Sequence, residues 1–173
     1  RTKMKTLKRL LSVFAVVAML LSMTVMTNAA TVTVDEELDG HTFGYYQILT
    51  GTQTANDPSL GEPAWGSGIK VTDFVDAVKA IDGFSSVSNA ATFAEALSNN
   101  TNKAEEIAKL AYAHKNGEPT AIAAGTAVEI DPGYYLIVDT TNIAAGDAKN
   151  AALLQITEKD DIEIGNKTTE PTV

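Results

Sequence analysis

The hydrophobic period of this chain changes twice, and that limits the folds open to it. Thr31 to Val34 alternates weakly, and His41 to Thr50 is rich in aromatic and β-branched residues; both read as strands. From Val71 the apolar positions Val71, Phe74, Val75, Val78 and Ile81 recur at steps of three and four, the spacing that lines one face of a helix. Thr72 is placed to cap this helix and Gly83 to end it. A second helical patch covers Ala90 to Leu97. A third opens at Asn102, with Glu105 three residues on to complete a capping box. Ile107, Leu110, Ala111 and His114 fall on its inner side, and it ends at Asn116-Gly117 ahead of Pro119.

The strand signature then returns. Thr126 to Ile130, the turn Asp131-Pro132-Gly133 and Tyr134 to Val138 read as a hairpin. Ala152 to Thr157 and Ile162 to Ile164 add two strands around the charged turn Glu158-Lys159-Asp160-Asp161. The stretch from Gly51 to Gly68, full of Gly, Pro, Asn, Asp and Ser, reads as a long loop packed by Trp65. Strands at both ends with helices between them predict an α+β, mainly β chain: a β-sandwich over residues 31–164 with a helical insertion around 71–116. Residues 165–173 lack a core pattern and read as a linker.

Residues 1–30 stand apart. They hold five of the thirteen basic side chains and none of the twenty-two acidic ones. Lys5, Lys8 and Arg9 precede an apolar run from Leu10 to Met26, and Thr27-Asn28-Ala29-Ala30 supplies small residues, the order of a signal peptide cleaved after Ala29 or Ala30. Arg1-Thr2-Lys3 lies ahead of Met4 and reads as untranslated. The exported remainder carries eight basic side chains against twenty-two acidic ones. That excess repels nucleic acid and anionic lipid, so neither is an expected partner, and the mature domain is not expected to embed in a membrane. Export would allow disulfides, yet the chain has no cysteine, so a core or another covalent link must hold it.

No set of residues here points to an enzyme or a cofactor. His41 and His114 are the only histidines, and neither stands at metal spacing to a second ligand. Gly66-Ser67-Gly68 does not continue into a phosphate loop, and no GxSxG or HExxH pattern occurs. His114 reads as a helix C-terminal histidine favoured by the helix dipole. The acidic groups Asp35-Glu36-Glu37 and Asp160-Asp161 with Glu163 lack EF-hand spacing and read as solvated turns, not a calcium site. Tyr45, Tyr46, Tyr134, Tyr135 and Trp65 could form a sugar platform, but adjacent tyrosines on a strand point to opposite faces. One of each pair is expected in the core.

Four segments together carry a resemblance: Gly44-Tyr45-Tyr46-Gln47-Ile48-Leu49-Thr50-Gly51, Trp65-Gly66-Ser67-Gly68, Pro132-Gly133-Tyr134-Tyr135-Leu136-Ile137-Val138-Asp139 and Ile162-Glu163-Ile164-Gly165-Asn166-Lys167. The chain resembles the N-terminal domain of sortase-assembled major pilins of Gram-positive bacteria. The resemblance implies an immunoglobulin-like sandwich, display on the cell surface in a pilus, and a pilus sortase with other pilin copies as partners. It implies Lys167 as the intermolecular isopeptide attachment residue, although Asn166 stands where the family usually has proline; Lys159 is the next candidate. It further implies downstream domains beyond residue 173. Such pilins often carry internal isopeptide bonds whose lysine lies in an early strand. Thr31 to Thr50 has none, so none is expected here, even with Asp139 at a helper-carboxylate position. The alternative function is a surface adhesin domain that binds glycan or host protein.

Overall fold

The computed structural model describes residues 30–35, 41–54, 57–141, 151–156 and 161–164. Its strands are β1 (Ala30–Val34), β2 (Phe43–Thr54), β3 (Asp57–Trp65), β4 (Thr120–Ile122), β5 (Val128–Ile130), β6 (Gly133–Asp139), β7 (Ala151–Ile156) and β8 (Asp161–Ile164). Between β3 and β4 lie the helices α1 (Val71–Val78), α2 (Ala90–Asn99) and α3 (Ala104–Ala113). One sheet runs β5-β1-β8; the other runs β3-β2-β6-β7, with β4 also on β2. The chain is α+β and mainly β, two sheets with a helical insertion, as its sequence predicts.

Three layers follow from which way β2 and β6 send their side chains. Tyr46, Ile48, Tyr134, Leu136 and Val138 join the core shared with the helices. Phe43, Tyr135 and Ile137 join a second core against β1, β5 and β8, where Val32, Val34, Ile130 and Ile164 meet them. The larger sheet is therefore covered on both faces, and every residue of β6 is buried. Strands in such a position read as continuous apolar runs, which explains Tyr134 to Val138. The alternation in β2 breaks at a bulge between Gln47 and Leu49, so Ile48 and Leu49 both enter the helical core.

Four sequence expectations need correction. The expected loop from Gly51 to Gly68 is largely a hairpin: β2 continues to Thr54 and pairs with β3 from Leu49↔Trp65 to Thr54↔Asp57. Pro58 and Pro63 disguise β3, yet it is an edge strand, where a missing N–H costs no ladder bond. Second, β5 and β6 are not a hairpin. β5 pairs with β1 and β6 with β2 and β7, so Asp131-Pro132 carries the chain from one sheet to the other. A Cβ at Gly133 would collide with the Leu49 carbonyl oxygen, which is why the strand begins on glycine.

The third and fourth corrections concern caps. Thr72 does not cap α1; Lys70 is the N-cap and has no side-chain cap bond. Its N–H donates to the His114 carbonyl at 2.8 Å, so backbone pairing with the end of α3 sets where α1 starts. Asn102 and Glu105 form no capping box either: residues 101–103 make a 3-10 turn and α3 starts at Ala104. Glu105 instead accepts from Lys109 Nζ at 2.6 Å. The capping box exists one helix earlier, where Asn89 Oδ1 accepts from the Thr92 N–H at 3.0 Å and Thr92 Oγ1 from the Asn89 N–H at 3.1 Å.

After α1 the chain descends in three-residue steps, with Ile81 N–H bonded to Val78 O, Phe84 to Ile81 and Val87 to Phe84. Each step buries one of these four side chains. Phe93 of α2 sits at the centre of the helical core, 5.3 Å from Phe74 and 5.4 Å from Trp65 between ring centroids. Trp65 thus packs the helical layer onto the sheet, the anchoring role its place in a Gly-rich stretch suggested.

Candidate functional site

The first and last described strands, β1 and β8, run parallel, in register from Thr31↔Asp161 to Val34↔Ile164. The chain therefore enters the sandwich at one pole, beside Ala30, and β8 ends at the other, beside Asp35, whose N–H donates to the Ile164 carbonyl at 2.8 Å. Ile164 is buried and Ile162 packs partly buried against the same core, so the alternating aliphatics dock the strand and aim its exit. Lys167 follows three positions later. Lys167 and Lys159 lie outside the described residues, as do all but Ala30 of the expected signal peptide 1–30 and all of the expected linker 165–173.

At the exit pole the start of β2 and the end of β6 are clasped. Val34 bridges to Ala124, and β4, two residues upstream, pairs Ile122 with Phe43, which itself faces Asp139. His41 Nδ1 lies 2.8 Å from Asp139 Oδ2. The Thr141 N–H donates to Asp139 Oδ1 at 2.9 Å. Asp139, the position of a helper carboxylate by resemblance, is buried and bonded by these two groups. Thr42 and Thr140 complete the clasp: the Thr140 N–H donates to the Thr42 carbonyl at 2.7 Å, and their hydroxyls are 2.7 Å apart. His41 is thus more than an ordinary strand-start residue, and nothing in its sequence neighbourhood pointed to a partner 98 positions away.

The five described lysines are Lys70, Lys79, Lys103, Lys109 and Lys115, and all belong to the helical insertion. Lys79, Lys103 and Lys109 pair with Asp76, Glu106 and Glu105 one helical turn away. Lys115 stands 4.1 Å from the Tyr112 ring centroid. None faces Asp139.

The aromatic residues considered as a sugar platform are divided between the two cores. Tyr46, Tyr134 and Trp65 face the helices; Tyr45 and Tyr135 face the smaller sheet. Both Tyr134 and Tyr135 are buried, a correction to the expectation of one per pair, because β6 is covered on both faces. The Tyr135 hydroxyl donates to the Asp131 carbonyl at 2.8 Å and accepts from Gln47 Nε2 at 2.9 Å. A tyrosine that reaches back to the backbone just before its own strand, at the crossing between two sheets, is a tyrosine corner. Burial pushes its phenol up to about 12, against the lowering effect of Gln47.

A cleft of about 320 Å³ opens on the flank where β2 is paired by neither β3 nor β4. Tyr45, Gln47, Asn116, Glu118, Glu129 and Asp131 line it. Ser67 and Gly68 also line it, and the Gly66 and Gly68 N–H groups donate to Ile48 O and Gln47 O at 2.8 and 2.9 Å. A side chain at either glycine would strike the Gln47 backbone. The Tyr46 phenol beside the cleft is pushed up to about 12, first by burial, then by the Glu118 carboxylate and Tyr112. Of the acidic residues weighed as a calcium site, the described Asp161 pairs with Thr31 at one end of β1 and Asp35 stands at the other; Glu36, Glu37 and Asp160 lie outside the described residues. Among the described residues no group of acidic or histidine side chains is arranged to hold a metal, and no helix is long and apolar enough to cross a membrane. Compared with protein-family models and with curated proteins, the chain matches none.

Proposed function

We propose that this chain is a structural subunit of a covalently polymerised surface pilus, exported by its N-terminal segment, with Lys167 accepting the sortase-activated C-terminus of another copy. The observation that carries this reading is the parallel pairing of β1 with β8. A domain whose chain enters at one pole and leaves at the other can be strung end to end. Five residues of strand separate the poles by about 15 Å of rise along β1. An attachment lysine just past β8 would follow a docked strand on the shaft axis, where a thioester could reach it. The amine attacks the acyl carbon, the C–S bond to the sortase cysteine breaks, and the amine proton passes to the departing thiolate. The tyrosine corner at Asp131-Tyr135 supports reading the sandwich as immunoglobulin-like.

The test is expression of the full-length protein beside its cognate sortase. Lys167→Ala should abolish the high-mass covalent ladder and leave monomer with an unchanged melting temperature. Arginine should not rescue, since guanidinium stays protonated. A ladder that persists in Lys167→Ala refutes Lys167 as the acceptor and moves attention to Lys159.

One observation favours the adhesin reading. The flank cleft presents Tyr45 with amide and carboxylate side chains, groups suited to hydroxyl-rich ligands. Binding of glycans by the isolated domain, lost in Tyr45→Ala, would support it over a purely structural role.

A further inference from the structure

We propose that Asn116 is a site of spontaneous deamidation, a slow covalent change that loosens the cleft rim and adds a negative charge to it. Asn116-Gly117 is the only Asn-Gly step in the sequence. In this reaction the backbone nitrogen of the following residue attacks the asparagine side-chain carbonyl carbon. A side chain on that following residue would obstruct the approach. Gly117 has none, and nothing lies within 4 Å of where its Cβ would stand. Both residues are exposed. Gly117 holds φ +72, and among the described residues its N–H has no hydrogen-bond partner.

The other described asparagines differ. Asn89, Asn99, Asn100 and Asn102 precede Ala90, Asn100, Thr101 and Lys103, whose side chains obstruct the approach of the following nitrogen. Asn89 is further fixed by its capping box, and the Asn100 amide donates to Ala96 O at 2.8 Å. Asn116 is held by one exposed bond, from Nδ2 to the Ser67 carbonyl at 3.1 Å.

The chemistry balances without a co-reactant beyond water. The Gly117 nitrogen loses its proton and forms a bond to Asn116 Cγ; the Cγ–Nδ2 bond breaks and ammonia leaves, giving a succinimide. Water then opens either imide carbonyl, producing aspartate or isoaspartate. Both products exchange the donor that served Ser67 O for a carboxylate that repels it. The new charge joins Glu118, Glu129 and Asp131 at the same cleft. Isoaspartate also lengthens the main chain directly after the Ile69↔Lys115 bridge and the bond from the Asn116 N–H to Gly68 O at 2.9 Å. The tie between Ser67-Gly68 at the cleft and the segment after α3 is the element that weakens.

The experiment is timed incubation of the purified chain at body temperature and mildly alkaline pH, followed by peptide mapping and enzymatic methylation of isoaspartate. The peptide containing residue 116 should gain the mass of O in place of NH and accept methyl groups severalfold above peptides containing Asn89 or Asn102. Asn116→Gln should abolish the gain. Asn116→Asp, which mimics one product, should speed hydrogen exchange at the residue 116 amide without any incubation. Absence of isoaspartate at 116 in the aged protein, or an equal gain in Asn116→Gln, overturns the assignment. Unchanged exchange in both Asn116→Asp and the aged protein overturns the loosening. Neither outcome depends on polymerisation, so this inference and the pilus reading fail separately.

Discussion

Replacing Tyr135 with phenylalanine isolates the one bond that locks the crossing between the two sheets. The ring is 2% exposed and packs edge-on against Tyr45 with centroids 5.5 Å apart, so phenylalanine keeps the packing and leaves no large cavity. Two hydrogen bonds vanish: the donation to Asp131 O at 2.8 Å and the acceptance from Gln47 Nε2 at 2.9 Å. A net hydrogen bond contributes about 0.5–1.5 kcal/mol, and an orphaned buried group costs about 1–3. Asp131 is exposed and its carbonyl can be rehydrated, whereas Gln47 is half-buried, so a loss of about 1–2 kcal/mol is expected on those same magnitudes. The assay is urea unfolding followed by Trp65 fluorescence, in which the midpoint should fall with an unchanged slope. Alkaline pH gives a second readout. The folded phenol titrates near 12 and the unfolded one near 10, so the folded state binds more protons in that interval. Stability is intact below the unfolded value and falls as pH rises through the folded one, at up to about 1.4 kcal/mol per pH unit for this tyrosine. Tyr135→Phe should flatten that decline in part, since burial also pushes up the phenols of Tyr46 and Tyr134. A midpoint within error of the parent at neutral pH, with an unaltered alkaline decline, would refute the tyrosine corner as a source of stability.

Phe93→Ala removes the centre of the helical core, where the ring is fully buried, and should cost about 3–5 kcal/mol by thermal or urea unfolding. His41→Ala leaves the buried Asp139 carboxylate with only the Thr141 N–H, and should lower stability by about 1–3 kcal/mol in the same assays. Asn89→Ala removes a helix cap and should cost about 1 kcal/mol. Exported protein should begin at Ala30 or Thr31 on N-terminal sequencing; retention of Met4 would overturn the signal-peptide reading. Its intact mass should show no loss of ammonia or water from an internal isopeptide bond.

The layer order was readable wherever burial imposed a period. Val71, Phe74, Val75 and Val78 announced α1, whereas the two-sided burial of β6 went unread in Tyr134 to Val138, where one tyrosine of the pair was expected outside the core. Pairing was not readable in the same way. Asp131-Pro132-Gly133 has the composition of a hairpin turn, and only Tyr135, reaching back to Asp131 and across to Gln47, shows that the chain changes sheets there. Likewise Pro58 and Pro63 argue against a strand in any position except an edge, and edge status is a property of the whole sheet. Caps failed where backbone pairing fixed a helix start first, as Lys70 with His114 does for α1. At the site, Lys167 rests on a resemblance and lies outside the described residues, whereas the His41–Asp139 clasp depends on a contact between distant segments that no local spacing encodes.

The distribution of amines gives the pole argument its force. A shaft assembled through a lysine grows in the direction that lysine faces relative to the point where the chain enters. Had the acceptor been any of the five described lysines, the linkage would fall on the helical layer, which flanks the sandwich. Three of those amines already sit beside carboxylates within a helical turn. Growth from that flank would set successive domains side by side and leave the β8 exit pole unused. A lysine just beyond β8 would instead put the proposed bond beside the chain's exit from the sandwich, at the end of a docked strand. The parallel register of β1 and β8 anchors β8 along its whole length, from Thr31↔Asp161 to Val34↔Ile164. Mapping the cross-linked peptide from polymer decides between the geometries: a branch at Lys167 fits an axial shaft, and a branch at Lys70, Lys79, Lys103, Lys109 or Lys115 refutes it.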